Sequence, residues 1–256
     1  MDSGGEVLFE LRGRTAVLTL NRPEALNALN DVALDKLERA FDRIDAEETI
    51  RAAVITGAGG RAFTVGIDFA VLERDPDAFQ RFVAQEMVCL YDRVVRLRVP
   101  VIAAVEGLAY ATGAELPMCC DIAYAGEGTT FCLPDLSLGL GFASSAWKAS
   151  EKLNRMRLAE LAFTGAQFSA QDAYEIGLLT RVVAKGRALE TALDTAEQIE
   201  GKPEMAVRVS KQAFSRGYAD DWFAFLELQK DAIASADFRS SVNALLERRA
   251  SSKQGG

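Results

Sequence analysis

Twice the chain runs as an apolar strand straight into glycine. Ala52-Ala-Val-Ile-Thr56 meets Gly57, and Val99-Pro-Val-Ile-Ala-Ala-Val105 meets Glu106-Gly107. Short apolar runs rich in valine and isoleucine and closed by glycine read as buried β-strands. Around them lie stretches with helical spacing. Val32, Leu34, Leu37, Phe41 and Ile44 recur on one helix face with Asp31 as its N-cap, and "DPDAFQRFVAQEMVCLYDRVVRLR" opens with proline at a helix start. Before both, "EVLFELRGRTAVLTLNRP" reads as a hairpin turning at Arg12-Gly13 and ended by Pro23. A short helix over 111–118, the strand "CDIAYAG" and the turn-rich "EGTTFCLPDLSLGLG" follow. From about Ala143 onward helical patterns dominate, interrupted by one strand in "LLTRVVA". Strand-helix and strand-strand-helix units followed by a helical appendage bound the fold to mixed α/β.

The first glycine loop poses a sharp question, because "GAGGRA" satisfies the G-x-G-x-x-G/A pattern of a dinucleotide site through Gly57, Gly59 and Ala62. That site requires the glycines to open a helix near the start of the unit, so that its N-terminus meets the pyrophosphate. Here a hairpin and a helix precede the loop, and "FTVGID" delays any helix to about Ile67. No tyrosine is followed four residues later by lysine, as short-chain dehydrogenase chemistry needs. The dinucleotide match is therefore misleading.

Composition removes more chemistry. The 256 residues contain no histidine, which excludes Ser-His-Asp and Cys-His nucleophiles and imidazole zinc sites. Proton transfer falls to Asp, Glu, Lys, Tyr or Cys. A formal charge of −8 excludes a broad nucleic-acid surface and requires a local basic patch for any anionic ligand. The four cysteines, Cys89, Cys119, Cys120 and Cys132, form no C-x-x-C pair and read as buried thiols of a reducing compartment. "VPVIAAVEGLAYATGAELPMCC" is interrupted by Glu106 and Glu115, so it is not a membrane span. The N-terminal stretch lacks a secretory pattern. A cytoplasmic protein is expected.

Two strand-to-helix junctions carry the candidate chemistry. "FTVGID" and "AYATGAEL" each direct unsatisfied main-chain N–H groups outward, and two such groups converging on one carbonyl make an oxyanion hole. Glu115 and Asp135 follow in apolar surroundings that suit a carboxyl group moving protons near neutrality. Each also has a plain structural reading. Thr112-Gly-Ala-Glu115 is a capping-box pattern, and Asp135 after Pro134 suits a turn.

Five segments in order resemble the crotonase family, the enoyl-CoA hydratase/isomerase superfamily: "TLNRPEALNALN", "VITGAGGRAFTVGIDF", "PVIAAVEGLAYATGAELPMCCDIAYA", "FCLPDLSLGL" and "LAFTGAQFSAQDAYEIGLLTRVV". The resemblance spans Val7 to Arg249 and implies a ββα-spiral core over 1–195 with a C-terminal helical subdomain over 196–256 that trimerises or caps. It implies that the N–H groups of Val65 and Thr112 form the oxyanion hole. Glu115 matches the family's first catalytic glutamate, and Asp135 stands in place of the second. The bent coenzyme A of an acyl-CoA thioester would pass Ala25, Leu26, Ala62, Phe63, Gly66, Ile67, Asp68 and Gly113, with basic charge from Arg22, Arg61 or Lys211. No cofactor or metal is implied, coenzyme A being part of the substrate, and the assembly expected is a homotrimer or a dimer of trimers. The implied reaction is hydration of an enoyl-CoA. Double-bond migration, another acyl-CoA reaction, or binding with weak catalysis are the alternatives.

Four positions depart from the family's pattern. Thr112 replaces a glycine and narrows the pocket. Pro117 removes a donor inside its helix. Asp135 is one methylene shorter than glutamate. Ala143 fills the place of the aspartate of dienoyl-CoA isomerases and aryl-CoA dehalogenases, which disfavours those reactions. "RDPDAFQRF" and "GLGFASSAW" are expected to wall the acyl pocket, and the tail "RRASSKQGG" to fray.

Overall fold

The computed structural model describes residues 5–68, 87–138, 149 and 152–216. The start of the long helix before Met87, both expected pocket walls, Ala143, and the C-terminal region beyond Arg216 with its tail lie outside the described residues.

Strand β1 (Val7–Arg12) pairs antiparallel with β2 (Thr15–Leu20), Arg12 facing Thr15. The turn is therefore Gly13-Arg14, one residue later than Arg12-Gly13, because Arg12 still holds its place in the ladder. Helix α1 (Asp31–Ala46) buries Leu34, Leu37, Phe41 and Ile44, each contributing roughly 1.5–3 kcal/mol. Its N-cap is Asn30, not Asp31: the Asn30 Oδ1 accepts the Ala33 N–H at 2.9 Å, and Asp31 becomes the first helical residue. Val32, expected in the apolar stripe, is exposed.

The next units repeat with one strand to each of two sheets. β3 (Ala52–Gly57) is followed by β4 (Ala62–Thr64), and β5 (Val101–Val105) by β6 (Leu108–Tyr110). β7 (Ile122–Gly126) is then followed by β8 (Thr130–Cys132). Between them run α2, described from Met87 to Arg96, and α3 (Thr112–Cys119). After α4 (Arg155–Thr164) come β9 (Phe168–Ser169), α5 (Ala170–Glu175) and β10 (Arg181–Val183). Helices α6 (Ala188–Glu200) and α7 (Glu204–Arg216) complete the described chain. The larger sheet has the order β1-β2-β3-β5-β7-β10 and the smaller β4-β6-β8-β9. Apart from the β1–β2 and β8–β9 pairs, all neighbours are parallel. This advance of one strand per sheet per turn is the expected ββα spiral.

The apolar runs follow from burial on both faces, as in parallel sheets covered by helices. Ala53 and Ile55 of β3 with Val101, Ala103 and Val105 of β5 join the main core. Their alternates Ala52, Val54, Ile102 and Ala104 meet α6 through Ala188, Ala192 and Ala196. Alanines at four-residue spacing let that helix lie close to the sheet, and Glu106 accepts its Ala188 N–H at 3.1 Å. Position 195/196 falls within α6.

The first glycine loop opens no helix. Ala58–Arg61 turn, and the chain re-enters as β4, a strand not foreseen from the sequence. A Cβ on Gly57 would sit 2.5 Å from the Phe63 carbonyl oxygen, so this glycine lets β3 and β4 pass in contact. No described helix is long and apolar enough to cross a membrane.

Candidate active site

The segment after β4 and the start of α3 lie against each other. A Cβ built on Gly113 would stand 2.1 Å from the Thr64 carbonyl oxygen, so only glycine permits this approach. The Cβ position of Gly66 lies 3.4 Å from the Thr112 nitrogen. Val65 and Gly66 thus border Thr112 and Gly113 directly. The Gly66 N–H is turned to the Thr64 hydroxyl at 3.1 Å.

Ala111 sets the direction of the Thr112 N–H. Its φ of 48° and ψ of −116° are unusual for a residue with a side chain, a strain worth roughly 1–3 kcal/mol. The Ala111 N–H is held by the Cys132 carbonyl of β8 at 3.0 Å. Thr112, first residue of the helix, has an N–H with no preceding turn to accept it. At the opposite end, the Lys152 ammonium donates to the carbonyls of Met118 and Cys120, a cation on the negative helix terminus. Pro117 does sit inside this helix, whose first turn remains free of it.

The capping-box reading fails. Ala111 is the N-cap and makes no side-chain cap bond, which leaves Thr112 and Glu115 to other partners. Both act electrostatically on the Tyr91 hydroxyl of α2, Glu115 raising its pKa and Thr112 lowering it. All three are nearly inaccessible to water, at 2%, 5% and 3% exposure. Burial first, and the neighbouring Glu115 charge second, raise the Tyr91 pKa well above that of an ordinary phenol. Its hydroxyl therefore stays protonated. Tyr91 was not foreseen: in "MVCLYDRVVR" it has the spacing of a core aromatic, and only the packing of α2 on α3 brings it to Glu115.

Asp135 opens a short 3-10 turn (Asp135–Leu138) after Pro134, as the turn reading expects. Desolvation raises its pKa, partly offset by its own main-chain N–H. Its Oδ2 is buried without a hydrogen-bond partner among the described residues. Asp135 also raises the pKa of the Cys132 thiol, itself already raised by burial, and Cys132 is the residue that anchors Ala111. Of the cysteines, Cys119, Cys120 and Cys132 are buried as expected, but Cys89 is exposed.

The remaining candidates form one wall. Ala25 and Leu26 belong to a loop in which Leu26 and Asn27 have φ of 53° and 58°. Asn27 fixes it: its amide donates to the carbonyls of Ala58 and Ala62 at 3.0 and 2.8 Å and its Oδ1 accepts the Arg22 N–H. Ile67 bridges to Leu29, with the Leu29 N–H on the Gly66 carbonyl and the Asp68 N–H on the Leu29 carbonyl, both at 2.8 Å. Ala62 and Phe63 are buried at 2% and 0% exposure, main chain included, so neither offers appreciable surface to a ligand. The three basic candidates separate. Arg22 is paired with Asp68 at 2.7 Å, and Lys211 is buried on Asp121 at 2.8 Å, so neither supplies a free surface charge. Arg61 is exposed at the turn before β4.

A family model described as "Enoyl-CoA hydratase/isomerase" matches residues 10–254. The chain is 32% identical to the short-chain-enoyl-CoA hydratase of Clostridium acetobutylicum and 31% identical to the crotonyl-CoA hydratase of Syntrophomonas wolfei, covering 95% of both chains in each case. Among solved structures it resembles an enoyl-CoA hydratase of Mycobacterium smegmatis with a TM-score of 0.88 at 29% identity, over 96% of this chain and 97% of that one.

Proposed function

The chain belongs to the enoyl-CoA hydratase/isomerase family, and from that premise we propose that it adds water across the α,β double bond of an acyl-CoA thioester. The observation that carries this reading is the junction of the Val65-Gly66 segment with the N-terminus of α3, on which lies the buried Glu115, together with the Asp135 carboxyl group, whose buried Oδ2 has no hydrogen-bond partner among the described residues.

In this reading the thioester oxygen takes hydrogen bonds from the N–H groups of Val65 and Thr112. Enolate charge develops on that oxygen in the transition state, where fixed N–H dipoles stabilise it most; one such donor is commonly worth about 100- to 1,000-fold in rate. Glu115 takes a proton from water as the water oxygen attacks the β-carbon. Asp135, whose neutral form is favoured by burial, delivers a proton to the α-carbon. The product gains one water, and a proton passing from Glu115 to Asp135 resets the pair.

Coenzyme A in this reading follows the wall of Ala25, Leu26, Ala62, Phe63, Gly66, Ile67, Asp68 and Gly113, and no further cofactor is used. The chain assembles as a homotrimer or dimer of trimers, with 196–256 as the trimerising or capping region. Exposed Met156, Phe163 and Phe214 support association. Free cysteines suit a reducing cytoplasm.

Crotonyl-CoA tests the activity. Its conjugated thioester absorbance should decay with the wild-type protein and slow by about 100-fold or more with Glu115→Gln and with Asp135→Asn. Turnover indifferent to both substitutions rejects the two-carboxylate reading.

A further inference from the structure

Resting on the hydratase reading and deepening it, we propose that Arg22 is a positioning residue: its guanidinium clasps Asp68 to the Ala28 carbonyl and so holds the Val65-Gly66 segment against the start of α3. The sequence offers Arg22 as a phosphate contact, and the fold gives it a different use. Its Nη1 donates to the Asp68 Oδ2 at 2.7 Å and to the Ala28 carbonyl at 2.8 Å. One nitrogen thereby joins the loop before α1 to the segment after β4. Arg22 acts through that segment and touches no reacting atom.

The need for a clasp follows from where β4 ends. Its pairing with β6 stops at Thr64 opposite Ala109, so Val65 and Gly66 lie past the ladder. On one side their position is set by contact, since a Cβ on Gly66 would stand 2.9 Å from the Ala111 Cβ. Contact sets the closest approach to α3 but does nothing to prevent retreat. Retreat is opposed from the other side, where the Leu29 N–H meets the Gly66 carbonyl and the Asp68 N–H meets the Leu29 carbonyl, both at 2.8 Å. Arg22 closes this two-bond bridge at its Asp68 end. The loop that carries Leu29 is itself built on Arg22, whose N–H is accepted by the Asn27 Oδ1 at 3.0 Å. That bond helps to hold Leu26 and Asn27 in their left-handed conformations.

Charge argues against a phosphate at the same guanidinium. The Arg22 Nε lies 3.7 Å from the Glu6 Oε1, so two carboxylates face a single positive charge. The sum around the guanidinium is negative and repels an incoming phosphate. With side-chain exposures of 18% and 20%, the Arg22–Asp68 pair is also less screened by salt than a surface pair.

The test is Arg22→Met, which keeps an unbranched apolar stem and removes the donors. An oxyanion hole works mainly in the transition state, so kcat should fall by about tenfold with KM within twofold; a misplacement of about 1 Å costs up to roughly 100-fold. The loss should be equal for crotonyl-CoA and for crotonyl-pantetheine, which lacks the phosphates. Arg22→Lys, whose ammonium can replace a single donating nitrogen, should stay within about threefold of the wild-type kcat. Asp68→Leu should resemble Arg22→Met, and the two together should add little to either. A rise in KM confined to crotonyl-CoA would overturn the proposal in favour of a phosphate contact. An unchanged kcat, with or without a lower melting temperature, would overturn it in favour of packing alone. A second readout needs no turnover: amide exchange at Leu29 and Asp68 should quicken by about tenfold in Arg22→Met, relative to that at Ile102 of β5. This result upholds the clasp even if the wild-type protein leaves crotonyl-CoA unhydrated, which would count against the hydratase reading alone. Unchanged exchange at both amides overturns the proposal whatever the activity.

Discussion

Glu115 and Asp135 are both withdrawn from water, but in different ways. Glu115 is almost fully buried and its charge acts on the Tyr91 phenol, whereas Asp135 Oδ2 is buried with no partner among the described residues and its pKa is raised, desolvation being the larger cause. The sign of the consequence is fixed. Below the ordinary aspartate value of about 3.9 the group is protonated in folded and unfolded chains alike. As pH rises from there through the raised value, the unfolded chain releases the proton while the fold retains it, so stability falls and the loss persists at neutrality. Asp135→Asn removes this term. Its melting temperature, measured by calorimetry, should gain on the wild type between about pH 3.5 and pH 7, while hydration slows by about 100-fold or more. A melting difference that stays constant over that range would remove the desolvation argument. The proposed reaction uses Asp135 as general acid, so Asp135 should also appear as the alkaline limb of kcat/KM, and Asp135→Asn should abolish that limb. Both carboxyl groups stand out in the sequence as acidic residues in apolar runs, and their partial or full burial was legible there. Tyr91 was not conspicuous, since nothing in its own helix distinguishes a core phenol from one that feels the Glu115 charge.

The elements around the site explain which parts of the fold the sequence could reveal. β3 and β5 were plain because a strand covered on both faces must be apolar throughout. β4 and β9 have three and two residues, too few for any period, and only their pairing in the smaller sheet defines them. The shift of the α1 cap from Asp31 to Asn30 has a similar origin. Both side chains can cap, and the backbone of Asn30, extended at φ −118°, decides. Yet the short strand β4 is what delivers Val65 to the start of α3. The contact of Gly113 with the Thr64 carbonyl sets that spacing, so Gly113→Ala should drive the two elements apart. The added methyl, 2.1 Å from the oxygen in the present geometry, should cost about 1–3 kcal/mol as overpacking, seen as a drop of several degrees in a thermal melt. It should also lower kcat/KM by about 100-fold or more through the misaligned N–H groups. Wild-type activity in a normally folded Gly113→Ala protein would show that this junction does not hold the thioester.

At the scale of the whole molecule, a protein of formal charge −8 is read as receiving a thioester whose coenzyme A carries several negative phosphate charges. Charge balance was legible in the sequence, but its distribution was not. The arginine beside the early proline and the lysine of α7 looked as available as any other, and the fold places Arg22 on Asp68 and Lys211 on Asp121. Arg61 remains exposed, at the turn that leads into β4 and hence toward Val65. If this guanidinium meets the phosphates, its contribution belongs to binding and not to the acyl chemistry, because it is equally present in ground and transition states. Arg61→Ala should therefore raise KM for crotonyl-CoA by up to about fivefold and leave kcat within a few tens of per cent, the range expected of an exposed ion pair. The difference should shrink as salt is raised, since the screening length falls to about 3 Å at 1 M. It should disappear with a crotonyl-pantetheine thioester, which lacks the phosphates. An equal rise in KM for both thioesters would mean that Arg61 acts through the shape of the turn and not through its charge. The net negative field would then be opposed elsewhere on the surface.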